Sequence, residues 1–130
     1  MKWIFAMLIT ACAAPEKDTG QGPLGHPVTL TDFQYRACWE DVSGAESVTT
    51  RQLGAGAISV EHEVWLEDCT VPCASAFVDE DRLRVVYDYT NQGTCETTCW
   101  FRVEFMLTGV PAGTWTVIVE DAPSSSVVVP

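Results

Sequence analysis

The strongest constraint on the fold is a period-two alternation of apolar and polar residues. It runs through three segments, Ile58–Leu66, Leu83–Thr90 and Phe101–Leu107. Successive side chains of an extended strand point to opposite faces, so each segment predicts a half-buried β-strand. In the segment Ile58–Leu66, His62 falls on the apolar face and Trp65 on the polar face.

Four further segments predict strands more weakly. These are Val28–Ala37, Ser47–Leu53, Trp115–Val119 and a short Val127–Val129. No window of 12 or more residues after position 27 shows helical spacing. Six to eight short strands over about a hundred residues predict an all-β fold, an antiparallel β-sandwich of two sheets packed face to face.

One stretch carries a resemblance to a known architecture. Leu107-Thr108-Gly109-Val110-Pro111-Ala112-Gly113 is followed by Trp115-Thr116-Val117. The region Phe101–Glu120 thereby resembles the closing hairpin of immunoglobulin-like and fibronectin-type extracellular modules. The resemblance implies an immunoglobulin-like sandwich with paired strands on either side of this turn. The Cys…Trp…Cys arrangement of true immunoglobulin domains is not evident, so the resemblance extends to architecture and not to family.

The N-terminus has the order of a secretory signal: one lysine, an apolar run from Trp3 to Ile9, then small residues. The run is too short for the ~20 residues that span a bilayer. Ile9-Thr10-Ala11-Cys12 resembles the lipobox of bacterial prolipoproteins. That resemblance implies cleavage before Cys12, diacylglycerol on its thiol and a further fatty-acyl chain such as palmitate on its amine. Ordinary cleavage after Ala14, which removes Cys12, is the alternative.

The chain therefore divides into a signal peptide (1–11), a lipidated cysteine with a flexible linker (12–27) and one domain (28–130). The linker is rich in Pro and Gly, which prevents regular structure. We expect a cell-envelope location, facing the periplasm or the exterior. In Gram-negative members of the lipoprotein family, Ala13 after the cysteine implies the outer membrane.

The charge balance excludes some partners. The chain has 18 acidic and 7 basic residues, a formal charge of −11. An acidic surface repels nucleic acid and anionic head groups. We expect a membrane contact through the lipid anchor, an envelope protein or a glycan as partner, and no nucleic acid.

Five cysteines remain after Cys12, and four of them form two Cys-x-x-x-Cys pairs. Exported cysteines commonly form disulfides. We expect the local pairs Cys69–Cys73 and Cys95–Cys99, each across a turn, with Cys38 unpaired. Pairings between the two segments, or pairings that include Cys38, remain open, because the sequence alone cannot fix connectivity. The sharper alternative is a four-thiolate metal site, although zinc pairs usually have two intervening residues.

No catalytic group stands out, and we expect no enzyme and no cofactor. His26 lies in the linker and His62 faces the predicted core; Ser124–Ser126 predict a polar turn, and Asp79–Asp81 a solvated hairpin turn rather than a calcium loop. Glu61 and Glu63 share a strand face through alternation alone.

The outward tryptophans are the clearest candidate ligand site. Trp65 and Trp100 lie on polar strand faces, where they can form a platform for sugar rings or for a partner protein. A carbohydrate-binding module predicts that the two rings are coplanar and exposed. The alternative is that they pack on arginine stems such as those of Arg84 and Arg102. We expect Trp39, beside Cys38, to pack near a core edge. The sequence thus predicts an envelope lipoprotein with a non-enzymatic binding or structural domain, with carbohydrate binding and metal binding as the two alternatives.

Overall fold

The computed structural model describes residues 28–38, 44–91 and 93–130. Eight β-strands make up most of this part of the chain. Their bounds are β1 Thr29–Arg36, β2 Ser47–Gly54, β3 Ala57–Glu67, β4 Thr70–Asp79, β5 Arg82–Asn91, β6 Thr98–Thr108, β7 Gly113–Val119 and β8 Ala122–Val129. Among the residues described, none forms a helix with the length and hydrophobicity needed to cross a membrane.

The strands form two four-stranded sheets, in the orders β1-β6-β3-β2 and β4-β5-β7-β8. Strand β1 lies against β4, and β2 lies against β8. Apolar side chains from both sheets meet in one core, so the predicted β-sandwich is confirmed. The fully buried members include Ile58, Leu83, Val85, Phe101, Val103, Leu107, Val117 and Val119.

The alternating segments place their apolar faces as expected. In β6, Phe101, Val103, Phe105 and Leu107 are all buried, and the intervening residues are partly exposed. The inward face of β3 is buried at Ile58, Val60 and His62 and becomes partly exposed at Val64. Alternation therefore positions both His62 inside and Trp65 outside.

Two strands differ from the sequence prediction. Strand β4 was not expected, because Thr70-Val71-Pro72 has the composition of a turn and proline disfavours strands. Pro72 is nevertheless accommodated, since β4 is an edge strand and only one of its sides needs hydrogen-bond donors. The last strand starts at Ala122 rather than Val127, so the prediction that Ser124–Ser126 form a turn is wrong.

The predicted hairpin over Phe101–Glu120 is also wrong. Strand β6 pairs with β1 and β3, whereas β7 pairs with β5 and β8, so the intervening loop crosses from one sheet to the other. That loop is held by the Val110 N–H, which donates to the Gly56 carbonyl at 3.0 Å. Because of the crossing, β7 runs parallel to β5, and the second sheet is mixed rather than antiparallel.

Strand β7 is shorter than its neighbour β5. It pairs only with Arg82–Val85 of β5, and the chain then turns at Glu120, whose N–H donates to the Val85 carbonyl at 2.8 Å. The far half of β5 carries Tyr87 and Tyr89. Among the described residues, the one strand that pairs with this half within the sheet is β4. Glu120 lies beside this half of β5, where its carboxylate accepts a hydrogen bond from the Tyr87 N–H.

Candidate functional site

The two outward tryptophans lie directly opposite each other on adjacent strands. Trp65 of β3 pairs in register with Trp100 of β6. Trp65 is 51% exposed, and Trp100 is partly exposed. Strand β2 begins only at Ser47, which is opposite Glu63, so no β2 residue covers Trp65. The sequence prediction that both rings face outward is confirmed.

The rings contact each other edge to face. Their centroids are 5.2 Å apart, and their planes meet at 72°. The coplanar platform expected for a sugar-binding surface is therefore absent from this pair. The expected packing on Arg84 does not occur either, because Arg84 belongs to the other sheet and binds Asp79 at 3.0 Å.

Carboxylates surround the tryptophans on the same face. Arg102 binds Glu61 at 2.8 Å, Glu63 at 3.5 Å and Glu104 at 3.1 Å. Burial lowers the pKa of Arg102, but hydrogen bonds and charges from Glu61 and Glu104 outweigh that effect and raise it. Glu61 and Glu63 thus hold a guanidinium together rather than forming an acid–base pair.

The cysteines pair differently from the expectation. Cys38 is bonded to Cys99, and Cys69 is bonded to Cys95, with Cα–Cα distances of 4.9 and 5.0 Å. None of the five cysteines in the described residues is a free thiol. The predicted local pairs Cys69–Cys73 and Cys95–Cys99, and an unpaired Cys38, are therefore wrong.

Strand geometry explains the error. Cys73 lies within β4, and Cys69 immediately precedes that strand. Four residues of extended strand span about 13 Å, too far for a disulfide, which needs Cα atoms within about 7 Å. The actual bridges join neighbouring chain segments at one end of the sandwich, hereafter the disulfide end: the end of β1 to β6, and the β3–β4 turn to the segment before β6.

The disulfides bear on the metal-binding alternative. In the described residues, the one group of three metal-ligand side chains within 4.8 Å of one another is Asp68, Cys69 and Cys95. The two sulfurs of this group are bonded to each other, so they offer no thiolate. The oxidised protein therefore presents one carboxylate there, and not the four sulfurs that a structural zinc site requires.

A polar network around the buried side chain of His62 joins the two sheets. This side chain is 0% exposed. Its Nε2 atom lies 2.8 Å from a Glu46 carboxylate oxygen, and its Nδ1 atom lies 2.8 Å from the Tyr87 hydroxyl. The Tyr87 backbone N–H donates to the carboxylate of Glu120. The prediction that His62 faces the core is confirmed.

The hydrogen-bond partners of His62 determine which of its ring nitrogens carries the proton. A carboxylate only accepts, so Nε2 carries the hydrogen, and Nδ1 accepts from the Tyr87 hydroxyl. Burial lowers the pKa of His62 below its ordinary value of 6.5, against the opposing effects of Glu46 and Glu120. Burial, with smaller effects from Glu120 and Glu46, raises the pKa of Tyr89 to about 12. The network therefore links the two sheets through a neutral imidazole, and it does not present a base open to substrate.

Sequence reasoning missed the acidic partners of this network. Alternation places His62 and Tyr87 on inward faces, and buried polar groups need partners, so their contact could have been inferred. Glu46 precedes β2 and Glu120 follows β7, and no periodicity places residues outside strands.

The remaining candidates have structural roles or lie elsewhere. Asp79 ends β4, and Glu80 and Asp81 connect it to β5, so the predicted hairpin turn is confirmed. Asp79 and Glu80 lie within 4 Å of the Arg82 guanidinium. Cys12, His26 and Trp39, with the predicted signal peptide and linker, lie outside the described residues.

Comparison with known proteins identifies no relative. No family model matches the chain, and no curated protein or solved structure matches it significantly. Function must therefore be argued from the chain's own residues.

Proposed function

We propose that this chain is an exported lipoprotein of a bacterial cell envelope, held to the membrane through Cys12, whose β-sandwich is a non-enzymatic binding or structural module. The observation that carries the proposal is the pair of disulfides, Cys38–Cys99 and Cys69–Cys95. Structural disulfides persist in oxidising compartments and are rare in the cytosol. They therefore support the export that the N-terminal sequence predicts.

The non-enzymatic part of the proposal draws support from His62. Both of its ring nitrogens are occupied by Glu46 and Tyr87, and the side chain is 0% exposed. A general base must reach its substrate's proton directly or through one water molecule. His62 is therefore committed to holding the two sheets together.

Anchoring needs more than one acyl chain, because a single chain gives only marginal membrane binding. The test is expression of the full chain and its Cys12→Ser variant in a bacterial host, followed by membrane fractionation and mass measurement of the N-terminal peptide. We expect the wild-type chain in the membrane fraction, beginning at an acylated Cys12, and the variant released from the membrane. An unmodified chain that begins at Pro15, after cleavage behind Ala14, would contradict the anchor.

A further inference from the structure

The Trp65–Trp100 face consists of the outward residues of β3 and β6 around the two rings: Glu61, Glu63, Trp65, Glu67, Thr98, Trp100, Arg102 and Glu104. We infer that this face docks a cationic, arginine-bearing segment of an envelope protein. The inference rests on the proposed function as a binding module and names the chemistry of its partner.

The Trp65–Trp100 face is acidic. The face carries four carboxylates and one guanidinium, a formal charge of −3, which becomes −2 when Arg36 of β1, in register with Arg102, is included. Arg102 lies within 4 Å of three of the carboxylates. The fourth, Glu67, is exposed two residues from Trp65 on the same strand face. At the adjacent disulfide end, the acidic residue Glu96 is also exposed. Such a surface attracts a basic partner and repels an acidic one.

The geometry of the two tryptophan rings suits a guanidinium better than a sugar. Planes that meet at 72° cannot both lie beneath one flat sugar ring. A guanidinium needs a single indole face, and it stacks there through both its charge and its planarity. Trp65, at 51% exposure, offers that face, and Glu67 offers a carboxylate beside it. Trp and Arg are also the residue types most enriched among interface positions that dominate binding energy.

Calorimetric titration of the mature, detergent-solubilised protein tests the inference. The probe is a synthetic decapeptide of alternating Gly and Arg. Its neutral counterpart has citrulline at each Arg position, and cellohexaose is the glycan probe. The site variants are Trp65→Ala and Glu67→Gln. The controls are Leu53→Ala and Glu80→Gln, which alter exposed residues at the end of the sandwich opposite the disulfides.

We expect the arginine peptide to bind and the citrulline peptide not to bind. Trp65→Ala should weaken binding roughly tenfold and Glu67→Gln about threefold, whereas each control should change it less than about twofold. Equal binding by wild type and Trp65→Ala would overturn the inference, since attraction to the overall charge would then suffice. So would binding of cellohexaose alone, lost in Trp65→Ala, which would identify a glycan site. Neither result bears on the lipid at Cys12, which the mass measurement decides separately.

Discussion

The hydroxyl of Tyr87 lies 2.8 Å from Nδ1 of His62, and this contact joins a strand of one sheet to a strand of the other inside the sandwich. The two aromatic rings also pack at 5.6 Å between centroids. Because Glu46 occupies the other ring nitrogen, the imidazole is satisfied on both sides. The link is therefore a directional element in an otherwise apolar core.

Tyr87→Phe removes the hydroxyl that donates to His62. A buried acceptor left without its donor lowers the free energy of unfolding by about 1–2 kcal/mol. The matched control is Tyr89→Phe, since Tyr89 is 40% exposed and makes no side-chain hydrogen bond among the described residues; we expect less than about 0.5 kcal/mol there. Urea unfolding of both variants measures the difference. Equal losses would contradict the assigned bond.

Stability should fall as pH decreases below the ordinary histidine pKa. Burial keeps the pKa of folded His62 below 6.5, so an unfolded chain binds a proton that the folded chain resists. The contribution of His62 is complete above the unfolded pKa and is lost as pH falls toward the folded value. Unfolding free energies at about pH 7.5 and about pH 5.5 should differ, with a slope of up to about 1.4 kcal/mol per pH unit.

The two histidines can be separated by substitution. His62→Gln should flatten that pH dependence, while His26→Gln should leave it intact. The groups that surround His62, namely Glu46, Glu120 and Tyr87, are present in both variants, so their effects are common to the comparison. A pH dependence that disappears in His26→Gln would refute the assignment to His62.

Gly56 is required where the β2–β3 turn meets the crossing loop. Its φ is +76°, and a Cβ atom there would lie 2.9 Å from the Val110 carbonyl oxygen. Gly54 has a φ of +88° but no comparable crowding. Alanine at either position is therefore destabilised by the left-handed backbone conformation. Gly56→Ala should lower the free energy of unfolding by roughly 1–3 kcal/mol more than Gly54→Ala, because its Cβ atom overlaps the Val110 carbonyl. Thermal unfolding of the two variants would show equal midpoints if this packing were incorrect.

The two disulfides should differ in strength. Cys38–Cys99 closes a separation of 61 residues and Cys69–Cys95 one of 26. In the chain-entropy model, removal of Cys38–Cys99 lowers the free energy of unfolding by about 4 kcal/mol, and removal of Cys69–Cys95 lowers it by about 3.5 kcal/mol. Double alanine variants avoid stray thiols and should follow that order in denaturant unfolding. The reverse order would mean that restriction of the unfolded chain does not dominate.

The tryptophan pair should be energetically coupled. An edge-to-face contact contributes about 0.5–1.5 kcal/mol beyond the area that each ring buries. A double-mutant cycle with Trp65→Ala, Trp100→Ala and the combined variant measures this term directly. A coupling energy near zero would mean that the rings stabilise the sheet independently.

Alternation was sufficient to predict most of the sandwich, because a two-residue period encodes which face is buried. It placed Phe101 and Val103 inside and Trp65 outside, as the structure has them. It could not predict β4, where Pro72 signals a turn and yet occupies an edge strand. Sheet membership was equally hidden: the turn after Leu107 has hairpin composition, but the chain crosses between sheets there.

The site was less predictable, because its contacts join residues that are distant in sequence. Cys38 and Cys99 are separated by 61 residues, and their pairing depends on β1 lying beside β6. Glu46 reaches His62, and Glu120 reaches the backbone of Tyr87, both from positions outside the strands. Strand order and loop paths determine both features, and local sequence composition predicts neither the strand order nor the loop paths.

Peptide mapping by mass spectrometry under non-reducing conditions, on protein isolated from membranes, tests the central claim most directly. Export with lipid anchoring predicts Cys38–Cys99 and Cys69–Cys95 cross-links together with acyl groups on an N-terminal Cys12. An N-terminal peptide whose Cys12 carries no acyl group would contradict the anchor. Reduced cysteines in an uncleaved chain that still begins at Met1 would contradict export itself.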